Sequence, residues 1–206
     1  IIGRLTCPIM CYFVAEGYHY TRDIRKYTAR MFLFALVSHF AYVFASADFT
    51  GWRSFLPFSS GSVLNQTSVM WSLAWGLVML RVANSKKLSH GAQVLLILLI
   101  CAVSFPSDWS CIAALCILSF GANRGNPRSQ MAWMTFYVAL YAVVYALALD
   151  VVYGVLQMAV VLSIPLLLQY NGQRGASPRR NAAMKWLFYL YYPAHLFLIG
   201  YLQWRV

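Results

Sequence analysis

The sequence predicts an all-α protein, a single transmembrane helix bundle over 1–206 with about eight spanning helices at roughly 20 apolar residues each. Three observations lead there. Hydrophobic residues make up 61% of the chain and charged residues 10%, against about 45–50% and 25% in a soluble domain. The apolar residues fall in long, almost uncharged runs separated by short polar loops. The loops alternate in charge, as they do when successive connections lie on opposite sides of a bilayer.

Taken in order, the first span covers Ile1–Tyr18 and the polar segment Tyr20–Lys26 ends it. The run is already under way at Ile1, so the reading expects one further N-terminal span. Thr28–Ala47 is the second span, followed by the polar and aromatic connection Asp48–Gln66. The third span, Thr67–Leu80, leads into the basic loop Arg81–His90, and the fourth, Gly91–Phe105, ends at the turn Pro106–Asp108. Trp109–Gly121 is a short fifth span, and Asn123–Gln130 a second basic loop. Met131–Leu149 and Val151–Leu168 flank Asp150 as the sixth and seventh. A loop rich in Gly, Arg and Asn, Gln169–Ala183, precedes the eighth, which ends at Trp204.

Thirteen of the 16 Lys and Arg residues fall on one side of this arrangement: Arg22, Arg25, Lys26, Arg30, Arg81, Lys86, Lys87, Arg124, Arg128, Arg174, Arg179, Arg180 and Lys185. The other side holds Arg4, Arg53 and Arg205 together with Asp48, Asp108 and Asp150. The positive-inside rule makes the rich side cytoplasmic. The net charge of +11 then serves topology and anionic headgroups, and nucleic acid is not expected as a partner. The five cysteines, Cys7, Cys11, Cys101, Cys111 and Cys116, lie in or beside apolar runs without Cys-x-x-Cys spacing. They read as small buried hydrophobes and no metal site is expected.

Ionisable groups inside an apolar span are costly and usually face a substrate or proton path. His195 is foremost, because Pro193 two residues earlier frees carbonyls near Tyr189 and Leu190 and favours a kink. His39 and Arg4 lie within the second and first spans. Glu16 and His19, at i and i+3, share a helix face at the cytoplasmic end of the first. Tyr189, Tyr191 and Tyr192 are core aromatics, interfacial anchors or site hydroxyls. The sequence carries no glycine-rich phosphate loop, no His-x-x-x-His and no carboxylate cluster, which disfavours familiar hydrolytic and metal chemistry. A membrane-buried base remains, acting on an amine or hydroxyl with an activated acyl donor. Basic loop residues suit that donor's phosphates.

Short pieces then occur in a recognisable order: Ile2-Gly-Arg-Leu-Thr-Cys-Pro8, Glu16-Gly-Tyr-His-Tyr-Thr21, Lys26-Tyr-Thr-Ala-Arg30, Phe40-Ala-Tyr42, Leu64-Asn65 with Trp75-Gly-Leu77, Ser107-Asp-Trp109, and Tyr191-Tyr-Pro-Ala-His-Leu196. Together they resemble the TraX family of polytopic inner-membrane proteins, whose named member acetylates the N-terminal residue of F-type pilin with acetyl-CoA. The family is also distantly similar to membrane acyltransferases that acetylate cell-surface sugars. Members carry an upstream helix with an Asp-His pair outside this sequence, and Cys7-Pro8 stands where Phe-Pro is usual.

The resemblance implies an acetyltransferase in the bacterial inner membrane, with acetyl-CoA as donor and a pilin-like N-terminal amine as acceptor. His195, Arg4, Glu16, Asp108 and Asn65 are its expected catalytic residues; Arg30, Lys26, Arg81 and Arg124 are expected to bind the donor, and His39 and Tyr192 the acceptor. Alternative readings are an O-acetyltransferase of a surface glycan, a proton-coupled transporter, and a non-catalytic subunit for pilus or secretion assembly.

Overall fold

The computed structural model describes residues 2–46, 49–56, 65–148, 150–171 and 177–204. Asp48, Leu64, Arg174 and Arg205 lie outside the described residues, as do the side chains of Arg179 and Arg180. The described chain is helical apart from turns and one isolated β-bridge, Thr67 to Ser107. In chain order the helices are α1 (Ile2–Tyr20), α2 (Ile24–Phe44), α3 (Val69–Ala83), α4 (His90–Ser104), α5 (Ile112–Ala122), α6 (Pro127–Ala148), α7 (Val151–Gln157), α8 (Ile164–Leu168) and α9 (Pro178–Trp204). A short 3₁₀ turn, Trp52–Phe55, lies between α2 and α3.

Local chemistry sets the ends of these helices. Asp23 caps α2 by accepting from the Lys26 N–H at 3.1 Å, and Ser89 caps α4 through the Ala92 N–H. Asp150 accepts from both Val152 and Tyr153 at the start of α7; each such oxygen satisfies a donor the helix cannot. Pro127 opens α6 at the position where its missing N–H costs nothing. Asn84 and Asn123 stop α3 and α5 by turning their side-chain amides back onto the carbonyls of Leu80 and Ser119.

Three segments are long and apolar enough to cross a membrane: Ile24–Phe44, Pro127–Leu147 and Val151–Leu168. The expected third, fourth and fifth spans form shorter apolar helices, α3, α4 and α5. The expected seventh span is not one regular helix. It passes from α7 through a 3₁₀ stretch, Met158–Ser163, into α8. The eighth runs as one helix through Pro193.

The core centres on α3, which packs between α5, α4 and α2. Met70, Leu73, Leu77 and Leu80 of α3 meet Ile117 and Phe120 of α5, all nearly inaccessible. Gly76 permits the approach, since a Cβ there would lie 2.6 Å from Ile117 Cδ1 and 3.0 Å from Ala114 Cα; small residues serve membrane helix contacts in this way. On the periphery Leu95, Leu98, Val143, Leu147, Val155 and Leu166 point outward. An apolar exterior of that kind suits hydrocarbon. Helix α1 lies against α5, α6 against α7, and α9 against α2.

Candidate functional site

The helices alternate in direction, so the bundle has two chemically different ends. One gathers the start of α1, the α4–α5 connection and the start of α7 around Arg4. The other gathers the end of α1 and the α5–α6 loop around Glu16.

At the Arg4 end, two connections are stitched together. The Gln66 N–H donates to the Pro106 carbonyl at 2.7 Å and the Asp108 N–H to that of Thr67 at 2.9 Å, forming the Thr67–Ser107 bridge. Asn65 (φ 57°) and Ser110 (φ 50°) are left-handed, a conformation costing a non-glycine residue roughly 1–3 kcal/mol and concentrated at functional sites. Ser110 is held there by its hydroxyl, which donates to Phe105, and by its carbonyl, which accepts from Ser72 at 2.7 Å.

His39 locks the same platform. A carbonyl can only accept, so Nε2 donates to Phe55 O at 3.1 Å, and in the neutral ring Nδ1 accepts from the Thr67 hydroxyl at 3.1 Å. Both nitrogens are thereby committed to the α2–α3 connection. The expectation that His39 receives substrate meets a ring already serving as a loop clamp.

Arg4 extends from α1 to the Tyr153 hydroxyl, 2.7 Å from Nη2. Its guanidinium lies over the Tyr153 ring and, at 5.7 Å, over that of Trp109. A guanidinium has five N–H donors, and the others find no partner among the described residues. Asp108 lies within Arg4's electrostatic reach; burial pushes its carboxyl above the usual carboxylate range and Arg4 pulls it partly back. The hydroxyls of Tyr42, Tyr141 and Tyr192 lie within electrostatic range of that carboxyl. Tyr141 also donates to the Asp108 carbonyl at 2.9 Å and stacks on Trp109.

Helix α9 completes this end. The Tyr192 hydroxyl lies against the Val69 N–H, and the His195 ring meets that of Tyr192 edge-on at 5.3 Å. His195 Nδ1 is 3.0 Å from the Tyr191 carbonyl, with the imidazole stacked on the Tyr191 ring. Nδ1 therefore carries the proton and Nε2 presents a lone pair that no described group uses. Residues 192 and 195 share a helix face, so α9 joins the imidazole to the Asp108–Arg4 cluster through Tyr192.

The expected residues thus divide. Arg4, Asp108 and Tyr192 come within electrostatic range of one another and His195 touches Tyr192, with Asn65 on the adjoining loop. Glu16 lies twelve residues further along α1 than Arg4, about 18 Å away at 1.5 Å per residue. There Arg124 grips it through Nε at 3.0 Å and Nη2 at 3.2 Å, and Arg124 also covers the Tyr20 ring. His19, expected beside Glu16, stacks edge-on against Tyr18. Lys26 pairs loosely with Asp23 at 3.6 Å in the open, and Arg81 is exposed. Arg30 reaches the Tyr189 hydroxyl while its buried Nε has no partner among the described residues.

Sequence reasoning missed Trp109, Tyr42, Tyr141, Tyr145 and Tyr153 as site residues. Tyr141 and Tyr145 do carry a signal, an i, i+4 pair of aromatic hydroxyls within one span, and their rings lie 4.4 Å apart. Among the described residues no group of three or more His, Cys, Asp or Glu could hold a metal.

Comparison with known proteins follows the same lines. The profile of the family described as "TraX protein" matches residues 1–203. The chain is 26% identical over 207 aligned positions to a protein of Dichelobacter nodosus named "Probable fimbrial assembly protein FimC, serogroup H1", covering 96% of this chain and 80% of that relative. No solved structure matches. With the family profile spanning almost all of the sequence, the chain belongs to the TraX family.

Proposed function

We propose that the protein is a membrane-embedded acetyltransferase moving an acetyl group from acetyl-CoA to an acceptor amine, the N-terminus of a pilin-like protein. One observation carries the reading: the Nδ1–Tyr191 bond leaves the His195 Nε2 lone pair unused by any described group, on a ring that meets Tyr192 edge-on. Such a base contributes about 10²–10⁴-fold by taking a proton from the attacking amine. The amine nitrogen bonds to the acetyl carbonyl carbon, the carbon–sulfur bond breaks, and the thiol leaves with a proton. Arg4, with donors to spare, stabilises the oxyanion that develops on the carbonyl. The family and the assembly name of the relative support a pilus-related acceptor.

In this reading the chain crosses the bacterial inner membrane eight times, α7 and α8 acting as one broken span. The loops bearing Arg22, Arg25 and Lys26, Arg81 to Lys87, and Arg124 to Arg128 share the Glu16 end, which is the cytoplasmic one. Lys26, Arg81 and the unsatisfied Arg30 receive the phosphates of CoA there, whereas Arg124 is already occupied by Glu16. The acceptor enters from the Arg4 end, and donor and acceptor meet between the two.

The test is transfer of radiolabel from acetyl-CoA to a pilin with a free N-terminal amine, catalysed by the purified full-length protein. Label is expected on the amine, and His195→Ala is expected to lower the rate at least about 100-fold without unfolding the protein. Absence of label with the wild type overturns the enzymatic reading and leaves an assembly role.

A further inference from the structure

Gln157 is inaccessible, and among the described residues neither its Oε1 nor its Nε2 has a partner. Buried side-chain amides are almost always satisfied, because each unmet donor or acceptor carries its full desolvation cost. Gln157 is also the last residue of α7, where the span changes to the 3₁₀ stretch Met158–Ser163. A mid-span 3₁₀ segment is a common mark of a functional break, and interrupted membrane helices place binding groups at their breaks.

The position connects with the site already described. Tyr153, which holds Arg4, is four residues earlier and so on the same face of α7, one turn away. Gly154 brings α7 onto α6, since a Cβ there would lie 2.6 Å from the Ala142 carbonyl oxygen. The 3₁₀ stretch packs on α1, the helix that carries Arg4. The orphaned amide therefore sits one turn from the Arg4 residue set, on the segment that packs between α6 and α1. Ser38 and Ser68 also have buried hydroxyls without a partner among the described residues, but a hydroxyl rotor can find a local carbonyl. A glutamine fixed in a packed interior lacks that recourse.

We propose that Gln157 binds the amide backbone of a substrate, its carbonyl accepting the N–H of one ligand amide and its NH₂ donating to the carbonyl of the next. A neutral chain that presents the N–H of one amide and the C=O of the next along one edge matches what is unmet. An ion would be uncompensated there, and an acetyl methyl would leave both atoms orphaned. The inference rests on the acetyltransferase reading, in which two substrates carry such amides: the pantetheine arm of the donor and the backbone of the peptide acceptor.

The experiment compares wild type with Gln157→Met, of similar length but without hydrogen-bonding groups, and measures KM for acetyl-CoA at saturating peptide and KM for peptide at saturating acetyl-CoA. A KM raised about tenfold or more for one substrate, with kcat within about threefold, is expected. A rise for acetyl-CoA assigns the amide to the donor arm, and a rise for peptide assigns it to the acceptor. The unliganded variant should melt no lower than wild type, because no bond within the protein is lost. Unchanged KM for both substrates, or a lower melting temperature with unchanged KM as for a Gln157 satisfied by buried water, overturns the proposal while acetyl transfer by the wild type stands. Failure of the wild type to transfer acetyl overturns both.

Discussion

Arg124 reaches from the α5–α6 loop to clasp the Glu16 carboxylate with two hydrogen bonds, 3.0 and 3.2 Å long. The Glu16 side chain is 9% exposed and that of Arg124 is 40%. The pair is thus shielded on one partner only, and the carboxylate holds the guanidinium above its ordinary pKa. Removing Arg124 strands a carboxylate in an apolar wall. Arg124→Leu is expected to cost about 1–2 kcal/mol, between the values for exposed and buried pairs. The double variant Glu16→Leu/Arg124→Leu should cost less than the sum of the single changes. Unfolding in detergent, analysed as a double-mutant cycle, checks this; additive costs would show that the two residues do not interact.

His39 has a different signature. With both ring nitrogens bonded, to Phe55 and Thr67, it contributes two hydrogen bonds to a connection that frames the Asp108 platform. His39→Ala is expected to lose about 1–3 kcal/mol of stability, and to reduce acetyl transfer far less than His195→Ala does. Loss of activity equal to that of His195→Ala in a protein with unchanged melting temperature would return His39 to the chemistry.

How the sequence relates to this arrangement differs between parts of the molecule. Helix positions were legible because apolar runs and polar loops alternate, and the caps Asp23, Ser89 and Asp150 stand where those runs begin. The break after Gln157 was not, since Val151–Leu168 carries no charge and hydropathy does not distinguish α from 3₁₀ geometry. Asp108 was marked only by the family resemblance, whereas Arg4 and His195 stood out singly, as a charge and an imidazole inside apolar spans. Glu16 stood out for the same reason, yet its partner is 108 positions away and no periodicity reports a contact so distant. The tyrosines that line the Arg4 end are indistinguishable in sequence from those of an aromatic belt.

Asp108 gives the pH dependence. Its carboxyl lies in the α4–α5 connection, where burial raises its pKa and Arg4 opposes the rise. In the unfolded chain it titrates near 3.9. Its favourable contribution is fully present below that value and is lost as pH rises through the higher folded one. The wild-type melting temperature should therefore carry a declining component starting above about pH 4, which Asp108→Asn removes and Arg4→Gln steepens by withdrawing the opposing charge. Melting curves in detergent between about pH 4 and 8 measure it. A profile unchanged by Asp108→Asn would mean that the carboxyl is equally solvated folded and unfolded.

Gly200 fixes how α9 presents His195. A Cβ at this position would lie 2.6 Å from Phe44 Cδ1 and 2.9 Å from the Phe44 carbonyl oxygen, so α9 and α2 touch backbone to ring. Five residues before it, on the same helix, is His195, and Phe197 stacks on Phe44 between them. The phenyl ring can yield, but the backbone oxygen is held by α2. Gly200→Ala must then part the helices near the Arg4 end, at a cost of about 1–3 kcal/mol for overpacking. Catalysis suffers beyond the loss of stability, because displacement of a catalytic group by about 1 Å is enough for a 100-fold effect. If the donor's phosphates bind at the Glu16 end as proposed, the variant should keep its KM for acetyl-CoA and lose kcat. An unchanged kcat in a protein that melts lower would exclude displacement of His195 by α9 as a cause of lost catalysis.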